Sequence, residues 1–339
     1  MPTTAHRYGD FEHQTVTGAF VHDLTTIGQN DAHFGLVQQI DYVYGFLSLD
    51  GGGTVCLENK LVHSLSSGTF VMVREGDGGL DVHPMTTRSY RGELRRTATE
   101  KGRRWSDPVM FRLPEAIRRS DDLPYLLELD GDRLLWDQGD LCHLEGEIRS
   151  LGVQFYSASA REPLYFTSIP YWVSGTVVGR PASGLLFFDR VYMIPNREWK
   201  ETAMFGDVQI SWNLFGNELE DGSIEWGKVV VGNDGFNAGM VVEGLDLVAC
   251  SNEVGVNYVL NEDGFVDAAR YQIGDRSWVF QGERADNMKA FSASRWNGYH
   301  SQFGTTRRVG DTRRRLSGFT WLEGFDERMR AAGFVVDSL

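Results

Sequence analysis

Short runs of alternating apolar and polar residues recur along the whole chain, and glycine-rich turns separate them. Typical examples are "FGLVQQIDYVYGFLSLDGGGTVCLENKLVHS" and "VQISWNLFGNELEDGSIEWGKVVVG". Strand side chains alternate between two faces, and short strands with turns roughly every 10 residues are typical of antiparallel barrels or sandwiches. Helix signals are few, the main ones being "DPVMFRLPEAIRRS" and "FDERMRAAGF". The sequence therefore predicts an all-β protein.

The length of the chain allows two domains of this kind. With 339 residues, of which 41% are hydrophobic, it can bury one large all-β core or two ordinary ones. A weak similarity joins the halves, because each has an aromatic-rich strand entry, "IDYVYGFLSLDGG" and "IPYWVSGTVVGR". We predict two antiparallel β domains, at residues 1–165 and 166–339.

Charge and hydropathy exclude several classes of partner. A net charge of −14 argues against nucleic acid, and the basic run "TTRRVGDTRRR" is better interpreted as a solvated hairpin than as a phosphate site. No apolar stretch approaches the ~20 residues of a membrane-spanning helix. The first residues, "MPTTAHRYGDFEHQ", lack the apolar core of a secretory signal. We therefore expect a cytoplasmic protein without a membrane span.

The sequence shows no recognisable metal or cofactor motif. Its three cysteines lie far apart, and its eight histidines show no close pairing that suits a metal. The usual nucleotide-binding, zinc-hydrolase and nucleophile-elbow motifs are also missing. We expect neither a metal nor an organic cofactor.

Two carboxylates stand among apolar residues on predicted strands. Asp189 shares one face of "SGLLFFDRVYMI" with aliphatic and aromatic residues, and Glu323 shares one face of "SGFTWLEGF" with three aromatic residues. Burial raises the pKa of a carboxyl group, and a carboxyl that stays protonated can act as a general acid. The two residues are therefore candidates for an acid/base pair. The structural alternatives are an ion pair between Asp189 and an arginine of a neighbouring strand, and a Glu323 that closes a barrel.

Aromatic residues on predicted strands are candidates for the lining of a pocket. Such a lining suits a hydrophobic small molecule, and the ring faces can also stabilise a cationic intermediate. For Trp212, which shares its face with Leu214, a core position is the stronger interpretation. The candidate substrate-binding residues are Tyr42, Tyr171, Trp172, Tyr192, Trp212, Trp296 and Trp321.

Three segments together resemble a known family. The stretches "ASGLLFFDRVYM", "VQISWNLFGNELEDGS" and "SGFTWLEGF" are similar to the second-domain signature of the AttH/carotenoid 1,2-hydratase (CrtC-like) group of lipocalin-like proteins. The resemblance implies two lipocalin-like barrels with an apolar pocket between or inside them. By matching position, it implies catalytic roles for Asp189, its basic neighbour Arg190 and the closing Glu323. Arg190 departs from the histidine often found at its position.

The resemblance and the residues together favour an enzyme that needs no cofactor. The leading hypothesis is an acid-catalysed hydratase, cyclase or isomerase acting on an isoprenoid- or polyketide-like molecule. Asp189 would protonate the substrate, and Glu323 or Tyr171 would orient water or accept a proton. The rings expected beside the developing positive charge are those of Trp172, Tyr192 and Trp296.

Two other functions stay open. One is a pericyclase of the Diels–Alderase kind, in which Arg190 or Tyr192 activates a carbonyl group of a folded polyene. The other is a carrier that binds an apolar ligand without chemistry, since the fold alone does not determine the function.

Overall fold

The computed structural model describes residues 15–21, 32–76, 78–106, 124–158, 162–233, 235–288 and 298–339. Within these residues the chain forms two antiparallel sheets, and helical segments are short. The predicted all-β fold class is confirmed, and the two antiparallel sheets are curled or nearly closed, as in lipocalin-like barrels.

The first sheet takes its strands from the first 193 residues. Its strands are β1 (Thr15–Phe20), β2 (Ala32–His33), β3 (Leu36–Leu49), β4 (Thr54–Val62), β5 (Leu65–Arg74), β6 (Asp81–Val82), β7 (Gly92–Glu93), β8 (Arg95–Ala98), β9 (Gly102–Ser106), β10 (Leu126–Asp130), β11 (Arg133–Asp137), β12 (Cys142–Glu147), β13 (Gly152–Ser157), β14 (Leu164–Val177) and β15 (Arg180–Met193). The short helix α1 (Met85–Arg88) precedes β7.

The second sheet takes its strands from the remainder of the chain. Its strands are β16 (Gln209–Leu219), β17 (Ile224–Gly232), β18 (Asn237–Glu243), β19 (Asp246–Ser251), β20 (Val254–Leu260), β21 (Val266–Ile273), β22 (Arg276–Asn287), β23 (Tyr299–Arg308) and β24 (Arg315–Phe325). The helix α2 (Asp326–Ala331) follows β24. A 3₁₀ turn (Trp199–Glu201) and a π-helical turn (Met204–Val208) connect the two sheets.

A long hairpin of β14 and β15 lies in the middle of the first sheet. The two strands turn tightly at Val178 and Gly179, both of which have positive φ angles, and β15 then pairs with β3. The chain changes sheet only between Met193 and Gln209. The predicted boundary at residues 165 and 166 therefore falls inside β14, and the division into two domains stays a prediction.

Each sheet encloses a core of its own, and a third core lies between them. Alternation along β15 places Leu186 and Phe188 inside the first barrel, whereas Leu185 and Phe187 point outward to the second sheet. Phe215, Trp278 and other apolar residues fill the second barrel. In the shared core, Phe46 of β3 stacks on Phe303 and Phe319, with ring centroids 4.3 and 4.8 Å apart. Apolar burial therefore holds the two sheets together.

The basic run near the end of the chain forms the hairpin turn between β23 and β24. Arg308 and Arg313 both donate hydrogen bonds to Glu243 at 2.6 Å, and both also contact Asp311. Acidic partners thus neutralise two of its arginines. Among the helices described, none is long and apolar enough to cross a membrane.

Candidate active site

A cavity of about 370 Å³ lies between the two sheets, beside their shared core. The outer face of the first sheet, the facing side of the second sheet and the connecting segment all contribute to it. Its described lining consists of Tyr42, Tyr44, Glu58, Lys60, Ser67, Phe166, Asp189, Val191, Trp199, Lys200, Phe205, Gln209, Trp212, Leu214, Tyr299, Trp321 and Glu323. Aromatic rings and a small number of polar groups are the usual composition of a small-molecule site.

Asp189 lies in this cavity as the partner of a lysine from the other sheet. Its Oδ2 atom accepts hydrogen bonds from Lys228 Nζ at 2.7 Å and from the Tyr44 hydroxyl at 2.6 Å. The Lys228 side chain is fully buried behind the cavity lining, with its Nζ atom 4.1 Å from the Phe166 ring centroid and 5.6 Å from that of Trp212. Burial lowers the pKa of Lys228, and the charge of Asp189 opposes this effect. The ion pair of Asp189 is thus formed with a lysine, where the sequence suggested an arginine.

Arg190 and Tyr192 lie on the opposite face of β15 from Asp189. Consecutive strand residues alternate faces, so both side chains point away from the cavity. The Arg190 Nε atom donates to Asp41 Oδ1 at 3.3 Å, and its guanidinium lies 5.4 Å from the Tyr192 ring centroid. Both residues are almost fully buried, and neither lines the cavity.

Of the other predicted binding residues, two lie away from the cavity and one lies outside the described residues. Tyr171 is buried in the core of the first barrel. Trp172 lines a separate small crevice of about 30 Å³ between the sheets. Trp296 lies outside the described residues. Of the predicted binding residues, Tyr42, Trp212 and Trp321 line the cavity together with Asp189 and Glu323.

Two glutamates in the cavity lining have raised pKa values. Burial, and then the negative charge of Glu323, raise the pKa of Glu58 to about 7, while the charges of Lys60 and Lys200 oppose the shift. Burial likewise raises the pKa of Glu323, against a hydrogen bond from Tyr299 and the charge of Lys228. A carboxyl group that titrates near neutral pH beside a second carboxyl group is suited to acid/base chemistry.

Sequence reasoning missed several of these residues. The signal for Lys228 was available, because on one face of β17 it stands between the buried residues Trp226 and Val230. Glu58 gave no such signal, because its strand face also carries Lys60 and resembles a solvated face. Tyr44 is one of many aromatic residues on predicted strands, so nothing in the sequence distinguishes it as a site residue.

The three carboxylates of the cavity lining, Glu58, Asp189 and Glu323, raise the question of a metal site. Over the described part of the chain, no group of three or more His, Cys, Asp or Glu side chains is arranged to hold a metal ion.

Comparison with known proteins supports the fold. No protein-family model matches the sequence, and no protein of curated function matches it either. The crystal structure of a putative AttH protein from Nitrosomonas europaea matches with a TM-score of 0.50 at 16% identity, over 87% of this chain and 94% of that one. Kievitone hydratase from Nectria haematococca matches with a TM-score of 0.41 at 8% identity, over 87% of this chain and 91% of that one. The chain thus shares a lipocalin-like fold with the AttH structure.

Proposed function

We propose that this protein is an acid/base enzyme that acts on a hydrophobic isoprenoid- or polyketide-like small molecule held between its two sheets. The observation that carries this proposal is the pair of carboxyl groups, Glu58 and Glu323, in one aromatic-lined cavity. With a pKa of about 7, Glu58 can both hold and release a proton at neutral pH. The lining supplies the apolar contacts that a hydrophobic substrate needs.

In this proposal the proton donor is Glu58 and not Asp189. The Oδ2 atom of Asp189 already accepts hydrogen bonds from Lys228 and Tyr44, which suits an anion that holds its partners in place. Glu58 donates its proton to a substrate double bond. Water adds to the resulting cation, and Glu323 accepts the proton that this water releases. In a cyclisation or isomerisation, a substrate π bond replaces the water, or a proton leaves a neighbouring carbon.

The aromatic rings of the lining have a role in the same step. Trp212, Trp321 and Tyr42 present ring systems to the cavity, and a ring face attracts a cation that lies within about 6 Å of it. The buried Lys228 already lies close to Phe166 and Trp212. Because Asp189 balances the charge of Lys228, this lysine does not repel a substrate cation as an unpaired one would.

The test is turnover with matched variants. The purified protein is incubated with a panel of isoprenoids and polyenes, and product mass and retention time are followed. We expect Glu58→Gln to lower turnover at least about 100-fold, the usual effect of a general acid, and Glu323→Gln to lower it substantially. The exposed Glu100→Gln is the control and should leave turnover unchanged.

The form of the product identifies the reaction. A gain of one water indicates hydration, and an unchanged mass with a new retention time indicates cyclisation or isomerisation. Full turnover by Glu58→Gln would contradict the role given to Glu58. A ligand that the wild-type protein binds and returns intact across the panel would favour a carrier, which the same aromatic lining also suits.

A further inference from the structure

Two lysines line the same cavity as the carboxyl pair. Lys60 lies two residues after Glu58 on one face of β4, and Lys200 lies in the 3₁₀ turn that connects the sheets. Lys200 and Ser67 are exposed, and Lys60 is partly exposed. These residues therefore mark the side of the cavity that opens to solvent.

The positive charges lie close to the proposed acid. Side chains at positions i and i+2 of a strand share a face, with Cα atoms roughly 6.6 Å apart. Lys60 also lies opposite Tyr42 on β3, with its Nζ atom 5.9 Å from the Tyr42 ring centroid. Both lysines act electrostatically on the Glu58 carboxyl group. Their charges thus act on groups inside the cavity as well as at the surface.

We infer that the substrate is an amphipathic carboxylic acid, whose carboxylate binds between Lys60 and Lys200 while its apolar body extends over the aromatic lining. This inference rests on the proposed function and specifies its substrate class. The lining has aromatic rings at Phe166, Trp212 and Trp321, where Asp189 neutralises the nearby Lys228, and it has cationic groups at Lys60 and Lys200. It therefore offers contacts for both parts of such a molecule.

The charges of the cavity fit a bound anion. Asp189 is balanced by Lys228, which leaves Glu58 and Glu323 as the other carboxyl groups of the described lining. A substrate carboxylate beside Lys60 neutralises the positive charge that favours ionisation of Glu58. The negative charge of the substrate also opposes that ionisation directly. Binding of the substrate therefore keeps Glu58 protonated, in the form that donates a proton. Glu58 and Lys60 are two residues apart on one strand. The substrate carbon that Glu58 protonates therefore lies within roughly 5–10 Å of the substrate carboxylate bound at Lys60.

The experiment compares ligands that share one apolar chain and differ at the head. Binding of farnesoic acid, methyl farnesoate and farnesol is measured by quenching of tryptophan fluorescence, because Trp199, Trp212 and Trp321 line the cavity. We expect the wild-type protein to bind the acid at least about tenfold more tightly than the ester or the alcohol, and this preference to fall with added salt. The Lys60→Gln/Lys200→Gln double variant should lose the preference while it binds the ester within about twofold of wild type.

The control is Lys101→Gln, at an exposed position far along the chain from both lysines, which should keep the preference. Equal binding of acid and ester by the wild-type protein, no binding of the acid, or a preference that survives in the double variant would overturn the inference. The readout is binding, so it separates this inference from the proposed function. If the protein prefers the acid but turns over neither ligand, the proposed enzymatic function is wrong. If it turns over the acid and the ester equally, only the proposed carboxylate site is wrong.

Discussion

The contact between Lys228 and Asp189 is a buried ion pair that joins the two sheets. The Lys228 side chain is 0% exposed and that of Asp189 is 5% exposed. Removal of one partner leaves the other charge buried without its counter-ion, which costs about 3–5 kcal/mol, whereas replacement of both by apolar residues is often neutral. We expect Lys228→Met to lower the free energy of unfolding by about that amount, as measured by urea denaturation.

The matched control for this prediction is the double variant Lys228→Met/Asp189→Leu. It should regain most of the stability that the single variant loses, because no unpaired charge remains. If the losses of the two single substitutions simply add in the double variant, the two charges are not coupled and the interpretation of the pair is wrong.

Glu58 makes stability depend on pH in a defined direction. Its pKa in the folded protein is about 7, above its ordinary value of 4.5, so the folded state binds this proton more tightly than the unfolded state does. The stability associated with Glu58 is therefore fully present below pH 4.5 and is lost as the pH rises to about 7, by at most about 3 kcal/mol.

Glu58→Gln removes this titration. We expect the variant to gain stability relative to wild type as the pH rises through that window, measured by urea denaturation at half-unit pH steps. Glu100→Gln, at an exposed position, should show a flat difference. A flat difference for Glu58→Gln as well would mean that Glu58 titrates alike in the folded and unfolded states.

The sequence could predict those site residues that interrupt an apolar strand face. Asp189 and Glu323 stand out in this way, and both line the cavity. Lys228 carried the same signal on β17. Glu58 could not be found, because its partner Glu323 lies 265 positions away on the other sheet, and their proximity depends on how the sheets pack.

At the level of elements, the pairing of β3 with β15 brings two strand backbones close together. A Cβ atom at Gly45 would overlap the backbone carbonyl oxygen of Leu185, so only glycine fits there. We expect Gly45→Ala to lower the free energy of unfolding by about 1–3 kcal/mol, because the strands must separate to make room. Urea denaturation measures this loss.

Gly18→Ala provides the comparison for this prediction. A Cβ atom at Gly18 of β1 meets no atom within 4 Å, so its effect should stay within about 0.5 kcal/mol. Equal effects of the two substitutions would show that the loss at Gly45 does not come from the close approach of β3 and β15.

The alternating runs predicted most of the strands but not their sheet. The segments "IPYWVSGTVVGR" and "SGLLFFDRVYMI" were both recognisable as strands, and they form the hairpin of β14 and β15. Local periodicity gives the faces of a strand, but not its partner. The partner of β15 is β3, more than 130 positions earlier in the chain, and that pairing decides which sheet contains Asp189.

In the molecule as a whole, the cavity exists only because the two sheets pack face to face. Tyr42 and Glu58 come from the first sheet, whereas Trp321 and Glu323 come from the second. A small-molecule site at such an interface can change its chemistry through residues on either sheet while each barrel keeps its own core.

The sheet topology predicts which fragments of the chain can fold. A fragment of residues 1–165 lacks nearly all of β14 and the whole of β15, so β3 and β12 lose their partners in the middle of the first sheet. A fragment of residues 1–197 keeps the whole sheet but exposes the apolar face that otherwise contacts the second sheet. We expect the shorter fragment to aggregate or lack strand structure, because unpaired edges and uncovered core destabilise it.

The longer fragment should show the circular dichroism of a β-sheet and bind more of an apolar dye than the full chain does. Both measurements are made at the same protein concentration, because the exposed face also favours self-association. Cooperative unfolding of the 1–165 fragment would show instead that this segment is a domain in its own right. The hairpin of β14 and β15, which contains Asp189, would then not be needed for the stability of the first barrel.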